Sequence, residues 1–287
     1  DIQPPLYYYL LWFWTRLFGR SEAALRWPSL LFSLGMAPLA WCAARRPFSA
    51  RAGLLAALLF ALSPLYIWYG QEARNYALLT FLGLLSSMLF FEAIHLKGAG
   101  RRAWRWWAAY ALAGSAALYT HYFAAFLLLA HAIYAAVVFL AGARAGRRLA
   151  APALAWLAIG ASYLPWLPHL IRRYGEDRSY WAGALKAGEA LRSVLISFSL
   201  GETVLEPIGW PLAVGFLALL GLCLAALLLA KPAGRAGAPR VFPTLFLIIY
   251  LAAPIAGVLL LALRAPKFNP RYLMLASPAY LLLFSGG

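Results

Sequence analysis

The sequence predicts an all-α fold, a polytopic bundle of membrane helices with further helices lying along its outer face. Three observations carry that prediction. Hydrophobic residues make up 64% of the 287 and charged residues only 12%, where a soluble domain carries about 25% charged residues. Apolar runs of about 20 residues recur from one end of the chain to the other, each long enough to cross a hydrocarbon core of roughly 30 Å. The basic residues behind the net charge of +16 fall mostly in short turns between those runs, where Lys and Arg set orientation and meet anionic headgroups. That placement removes the nucleic-acid partner that the same charge would suggest in a soluble protein.

Taken in order, nine runs read as spans, at about 27–44, 51–69, 77–96, 106–120, 122–142, 151–170, 211–230, 241–263 and 272–285. Residues 1–26 are too aromatic for a free loop and too interrupted for a span, so they read as interfacial helix. In 171–210, Leu185, Leu191, Leu195 and Phe198 fall roughly on one helical face and predict a second surface-lying segment. No internal repeat, low-complexity tail or secretory signal is seen. Residues 1–287 read as a single membrane domain, and the chain reads as a fragment lacking the first transmembrane span and the C-terminal end. Cys42 and Cys223 lie in separate apolar runs and read as packed small residues.

Charge gives the orientation. The turns at 45–51, 97–105, 144–148 and 231–240 hold thirteen basic residues and no acid, which makes that side cytoplasmic. Eight of the nine acids lie on the other side, Glu92 being the exception. Polar groups gather at the outer side in four places: Asp1-Ile2-Gln3-Pro4-Pro5-Leu6-Tyr7-Tyr8, Gln71 to Tyr76, Tyr119 to Tyr122, and Asn269 to Tyr272. Polar groups at membrane depth are costly without a purpose, so a site is expected there.

QPPLYYYLLWFWTRLFGRSEAALRWPSLLFSLG followed by SPLYIWYGQEARNYALLTFLGLLSS resembles the N-terminal half of bacterial GT-C glycosyltransferases, which include protein mannosyltransferases and lipid A aminoarabinose transferases. YTHYFAAFLLLAHA and NPRYLMLASPAYLLL fit as well, so the resemblance covers most of the chain. It implies a helical bundle with a cavity at the outer membrane face, reached by a polyprenyl-phosphate sugar from the bilayer and by an extracytoplasmic acceptor, whether protein, lipid A or polysaccharide, from water. In such enzymes an acidic residue soon after the first span, often in an Asp-Glu pair before PPLYY, acts as base or acceptor-orienting group. That span and pair are not in this sequence; Asp1 resembles the second acid, and Gln3 stands where relatives often have His or Lys.

Catalytic roles are therefore expected of Asp1 and Arg74. The leaving polyprenyl phosphate gains negative charge, which a guanidinium stabilises through paired hydrogen bonds. Gln71, Glu72 and Tyr76 are expected to orient Arg74 on one turn of helix. Snorkelling to headgroups or pairing with Glu72 is the plain alternative for Arg74. Arg271 is a second phosphate candidate. Gln3, Tyr8, His121, Tyr122 and Tyr272 complete the expected substrate-binding set, although tyrosines at an interface often serve only as anchors. A divalent metal ion, carried by some relatives, is an open question, because no ligand spacing is readable here. His131 and His169 read as packing or interface residues. A second reading, a multi-span transporter or lipid flippase, stays open, though ion transport would call for ionisable groups at span centres, where only His131 stands.

Overall fold

A computed structural model describes residues 3–96, 101–141, 150–176, 186–229, 241–264 and 268–287, and these described residues form thirteen α-helices and one 3-10 helix. Asp1 lies outside them. In chain order the helices are α1 (Leu6–Phe18), α2 (Glu22–Arg45), α3 (Ala50–Leu62), α4 (Pro64–Gly70), α5 (Tyr76–His95), α6 (Arg101–Thr120) and α7 (Ala124–Leu140). There follow α8 (Ala150–Tyr163), α9 (Leu167–Glu176), α10 (Ala187–Leu200), α11 (Glu206–Leu229), α12 (Val241–Arg264), the 3-10 helix Pro270–Ala276 and α13 (Ser277–Gly286). No strand occurs among the described residues.

Each expected span contains helix, but proline chemistry divides several of them. A residue before proline is pushed out of the helical region. Ser63, preceding Pro64, accordingly sits at ψ 118° and separates α3 from α4, which bend by 54°. Pro165 falls in the turn that parts α8 from α9, so 151–170 is not one helix. Pro270 and Pro278 open the 3-10 helix and α13 within the last run. Among the described residues four helices, α2, α5, α11 and α12, are long and apolar enough to cross a membrane, or five if α3 and α4 count as one bent span. The nine-span count is thus not reached by length and composition.

Capping fixes the helix starts. The Ser21 hydroxyl accepts from the Ala24 N–H at 3.2 Å at the head of α2, and Ser49 does the same from Ala52 at 3.0 Å for α3. Glu22 and Arg45 stand in the first and last turns of α2, each with the sign the helix dipole favours.

The core sits around α5. Of its most apolar window 61% is buried, against 17% for α11, so α5 is the central element and α11 a peripheral one. Inside the bundle the His131 ring, fully buried, stacks on Phe90 at 4.6 Å. Its Nε2 meets the Ser87 hydroxyl at 3.0 Å and its Nδ1 the Tyr110 hydroxyl at 3.1 Å, while Trp156 Nε1 donates to Tyr110 at 2.9 Å. This chain links α5, α7, α6 and α8 and satisfies the polar atoms that burial would otherwise penalise. His131 is a packing residue, as expected. Glu92 pairs with Arg46 at 3.1 Å near the far end of α5.

Candidate active site

Two chain turns, the start of the chain up to α1, helix α2 and the 3-10 helix meet beside the first residue of α5. Asn75, 4% exposed, is the hub. Its Nδ2 donates to the Thr120 carbonyl at 2.8 Å and to Gln3 Oε1 at 3.3 Å, joining the α4–α5 turn to the α6–α7 turn and to the segment before α1. Ser29 of α2 braces the same corner. It meets the buried Tyr7 hydroxyl at 2.8 Å and donates to the Arg74 carbonyl at 3.2 Å. Two separate stretches of the sequence, PPLYY and QEARNY, are thereby packed together.

Arg271 enters from the 3-10 helix. Asn269 caps that helix, its Oδ1 accepting from the Arg271 N–H at 3.1 Å, which sets the direction of the arginine. The guanidinium carbon lies 5.8 Å from the Tyr76 ring centre and 5.7 Å from that of Tyr272, within range of cation–π attraction. No carboxylate pairs with it among the described residues, and its buried Nε has no hydrogen-bond partner. A guanidinium cannot shed its charge. A buried, unfilled donor on it is therefore an unmet demand for an acceptor.

Arg74 differs. Its side chain is 53% exposed and its Nε stands 3.7 Å from Glu72 Oε2. Residues 71–75 form a turn rather than the expected helical turn, and only Glu72 of the expected trio pairs with Arg74. Gln71 bends back to the Ile67 carbonyl at 3.1 Å, away from the site. Tyr76 lies within electrostatic reach of both Arg74 and Arg271. Tyr8, 40% exposed on α1, is also close to Arg74, which offsets part of the rise that burial imposes on its hydroxyl pKa.

His121 is fully buried, 6.2 Å ring to ring from Tyr76 and 4.6 Å from the half-buried Tyr122. Its Nδ1 accepts from the Phe123 N–H at 3.1 Å, so the neutral ring carries its proton on Nε2, which has no partner. Burial pushes its pKa down to about 3. Tyr272, half-buried, packs against Phe123 at 5.6 Å. The structure thus gathers Gln3, Tyr76, His121, Tyr122, Arg271 and Tyr272 around one corner, with Tyr8, Glu72 and Arg74 beside it and Gln71 turned out.

Two neighbours of the site, Asn75 and Glu202, escaped the sequence reading, which names Tyr69 only as a tyrosine able to stack on sugar or line the lipid groove. Asn75 lay inside a quoted motif, but its task depends on two distant turns. Tyr69, on α4, packs edge-on to Tyr76 at 5.5 Å. Glu202, after α10, reaches Tyr69 electrostatically together with Glu72 and Arg271. No three His, Cys, Asp or Glu side chains among the described residues gather closely enough to hold a metal ion. The described residues therefore supply no ligand set for a divalent ion.

No curated protein sequence matches the chain. Two solved structures of ArnT from Cupriavidus metallidurans are similar to it. The apo form shares 18% identity with a TM-score of 0.63, over 99% of this chain and 48% of that one. The form bound to undecaprenyl phosphate shares 17% identity with a TM-score of 0.48, over 99% of this chain and 66% of that one. The chain spans about half the length of the apo ArnT structure, and at that identity the likeness establishes the fold, an ArnT-like GT-C bundle. A family model described as dolichyl-phosphate-mannose-protein mannosyltransferase matches residues 2–171, which takes in PPLYY, QEARNY and the His121 turn. With more than half of its length matched in this way, the chain belongs to the dolichyl-phosphate-mannose-protein mannosyltransferase family.

Proposed function

We propose that this chain is the membrane-embedded part of a glycosyltransferase that moves a sugar from a polyprenyl-phosphate donor to an extracytoplasmic acceptor, with Arg271 holding the donor phosphate. The family supports a lipid-phosphate donor. The observation that carries the assignment is the Arg271 guanidinium, which has no carboxylate partner among the described residues and keeps its Nε donor unused beside Tyr76 and Tyr272. Tyr272 takes up part of the guanidinium's hydrogen-bonding capacity, and the remaining in-plane N–H groups, Nε–H among them, stay available to phosphate oxygens. As the glycosidic bond breaks, charge grows on those oxygens, and a donor already desolvated interacts with it more strongly than water would.

Arg74 serves as a second, more exposed cation that meets the phosphate as it arrives, its charge partly satisfied by Glu72. His121 Nε2–H and Tyr122 offer donors to sugar hydroxyls. The site opens on the extracytoplasmic side, a placement that rests on the thirteen basic residues of the alternate turns.

The test is binding of undecaprenyl phosphate to the purified full-length protein in lipid nanodiscs. Arg271→Ala should weaken it by about 1.5–3 kcal/mol, the usual worth of a hydrogen bond to a charged group. Unchanged affinity would remove Arg271 from the role. Absence of binding by the wild type would remove the whole reading.

A further inference from the structure

We propose that the cavity between α10, α11, α12 and α13 holds an acyl chain of a zwitterionic phospholipid, phosphatidylethanolamine, whose phosphate rests on Arg192 and whose ammonium rests on Glu206. This goes beyond the glycosyl-transfer reading, since Arg271 and the residues around it do not line the cavity.

The cavity has a volume of about 420 Å³. Leu195 and Phe198 of α10, Leu217 and Leu220 of α11, Ile255 of α12 and Tyr280 of α13 supply its walls. The Tyr280 hydroxyl already meets that of Ser199 at 2.7 Å, so the walls make no demand for water. An apolar cavity of this kind stays dry and takes up apolar molecules. Left empty, it would deprive its lining of dispersion contacts. Leu191 and Leu217, both lining it, are exposed, so the cavity opens on an apolar surface that faces lipid.

Depth selects the occupant. Arg192 Nη1 donates to Glu206 Oε1 at 3.0 Å, and the guanidinium carbon lies 4.7 Å from the Trp210 ring centre. Charged side chains and tryptophan gather at headgroup level, which places the rim of the cavity there. From Trp210 to Leu220 the lining follows α11 for about 15 Å at the helical rise. That is one leaflet of a hydrocarbon core of roughly 30 Å, the reach of an acyl chain hung from its headgroup. A polyprenyl tail is longer than that depth.

Charge selects the headgroup. Arg192 and Glu206 are both exposed, and their bond uses one nitrogen and one oxygen. A guanidinium has further N–H groups and a carboxylate a second oxygen, so each can take another partner. A headgroup with a phosphate alone meets Arg192 but is repelled by Glu206 beside it. One that carries a phosphate and a primary ammonium answers both. Its ammonium N–H groups donate to the carboxylate, which a quaternary ammonium cannot do.

The experiment adds phosphatidylethanolamine, phosphatidylglycerol or phosphatidylcholine to the purified, delipidated full-length protein and reads bound lipid by native mass spectrometry. Phosphatidylethanolamine should bind at one site about tenfold more tightly than either of the others, the worth of a single hydrogen bond between charged groups. Glu206→Gln should largely abolish that preference. Leu217→Trp, which sets a larger ring at the exposed rim, should lose the tight site while melting as the wild type does. If Leu217→Trp melts lower, the Glu206→Gln comparison decides alone. Undecaprenyl phosphate should leave the bound phosphatidylethanolamine in place. Absence of a tight site, equal affinity for the three lipids, or an unchanged preference in Glu206→Gln overturns the proposal. So does a tight site that persists in Leu217→Trp, which would put the lipid elsewhere, and so does displacement by undecaprenyl phosphate, which would make the cavity the donor's groove.

Discussion

Asn75 donates to the Thr120 carbonyl at 2.8 Å, and through that bond the α4–α5 turn is fastened to the α6–α7 turn inside the protein rather than at its surface. Asn75→Ala would leave that carbonyl without its partner. A buried acceptor left unfilled costs about 1–3 kcal/mol. The variant should unfold at a lower temperature in detergent, and Gln3→Ala, which removes the longer 3.3 Å contact and leaves the Asn75–Thr120 bond in place, should do so by less. Equal melting of Asn75→Ala and wild type would show that the two turns are held by something else.

The two arginines should separate in a transfer assay. Arg271→Ala is expected to raise the barrier by about 2–4 kcal/mol, the cost of losing one charge-stabilising donor. Arg271→Lys should recover only part, since an ammonium keeps the charge and loses the planar fork. Arg74→Ala should cost less than Arg271→Ala, because its side chain is 53% exposed and already paired with Glu72. Turnover per folded molecule decides the order, and a larger loss at Arg74 would reverse the assignment of the two roles.

His121 should make the protein acid-sensitive. Its folded pKa lies near 3 because of burial, whereas an unfolded histidine titrates near 6.5. Between those values the unfolded chain binds a proton that the folded one refuses. Stability should therefore be unaffected by this group above about pH 6.5 and fall as pH drops toward 3, by up to about 1.4 kcal/mol for each pH unit. His121→Gln removes the titration, so its unfolding midpoint should change less than that of wild type between pH 7 and pH 5. Parallel pH dependence in the two proteins would refute this.

Sidedness can be read by labelling. In a background without Cys42 and Cys223, Ala73→Cys in the exposed part of the QEARNY turn should react with an impermeant thiol reagent added outside intact cells. Arg51→Cys, at the start of α3, should react only after the membrane is opened. Labelling of both from outside would rule out the charge-based orientation.

The apolar runs placed the helices because burial in lipid demands continuous apolar length, and a run announces itself residue by residue. Their interruptions were harder to see. Ser63-Pro64 and Pro165 carry the same hydropathy as their surroundings while changing the backbone, so a count by hydropathy read through them. In the fold, PPLYY, QEARNY, THY and NPRY are brought together at one corner of the bundle. What could not be read was which of their members face one another. Arg74 and Arg271 are equivalent as letters; one has Glu72 two residues away and the other has no carboxylate partner among the described residues, a difference made by the tertiary approach of the 3-10 helix to α5.

The contrast between α5 and α11 bears on how the sequence can drift over time. On α11, where little is enclosed, one branched aliphatic residue can replace another and the surrounding acyl chains absorb the change in shape. On α5 a position has neighbours on every side: a side chain added at Gly83 would run into Leu275, and one lost at Phe90 would empty the ring cluster around His131. Random substitution followed by selection for a folded product should therefore leave α11 recognisable only by its greasiness, while α5 keeps its letters.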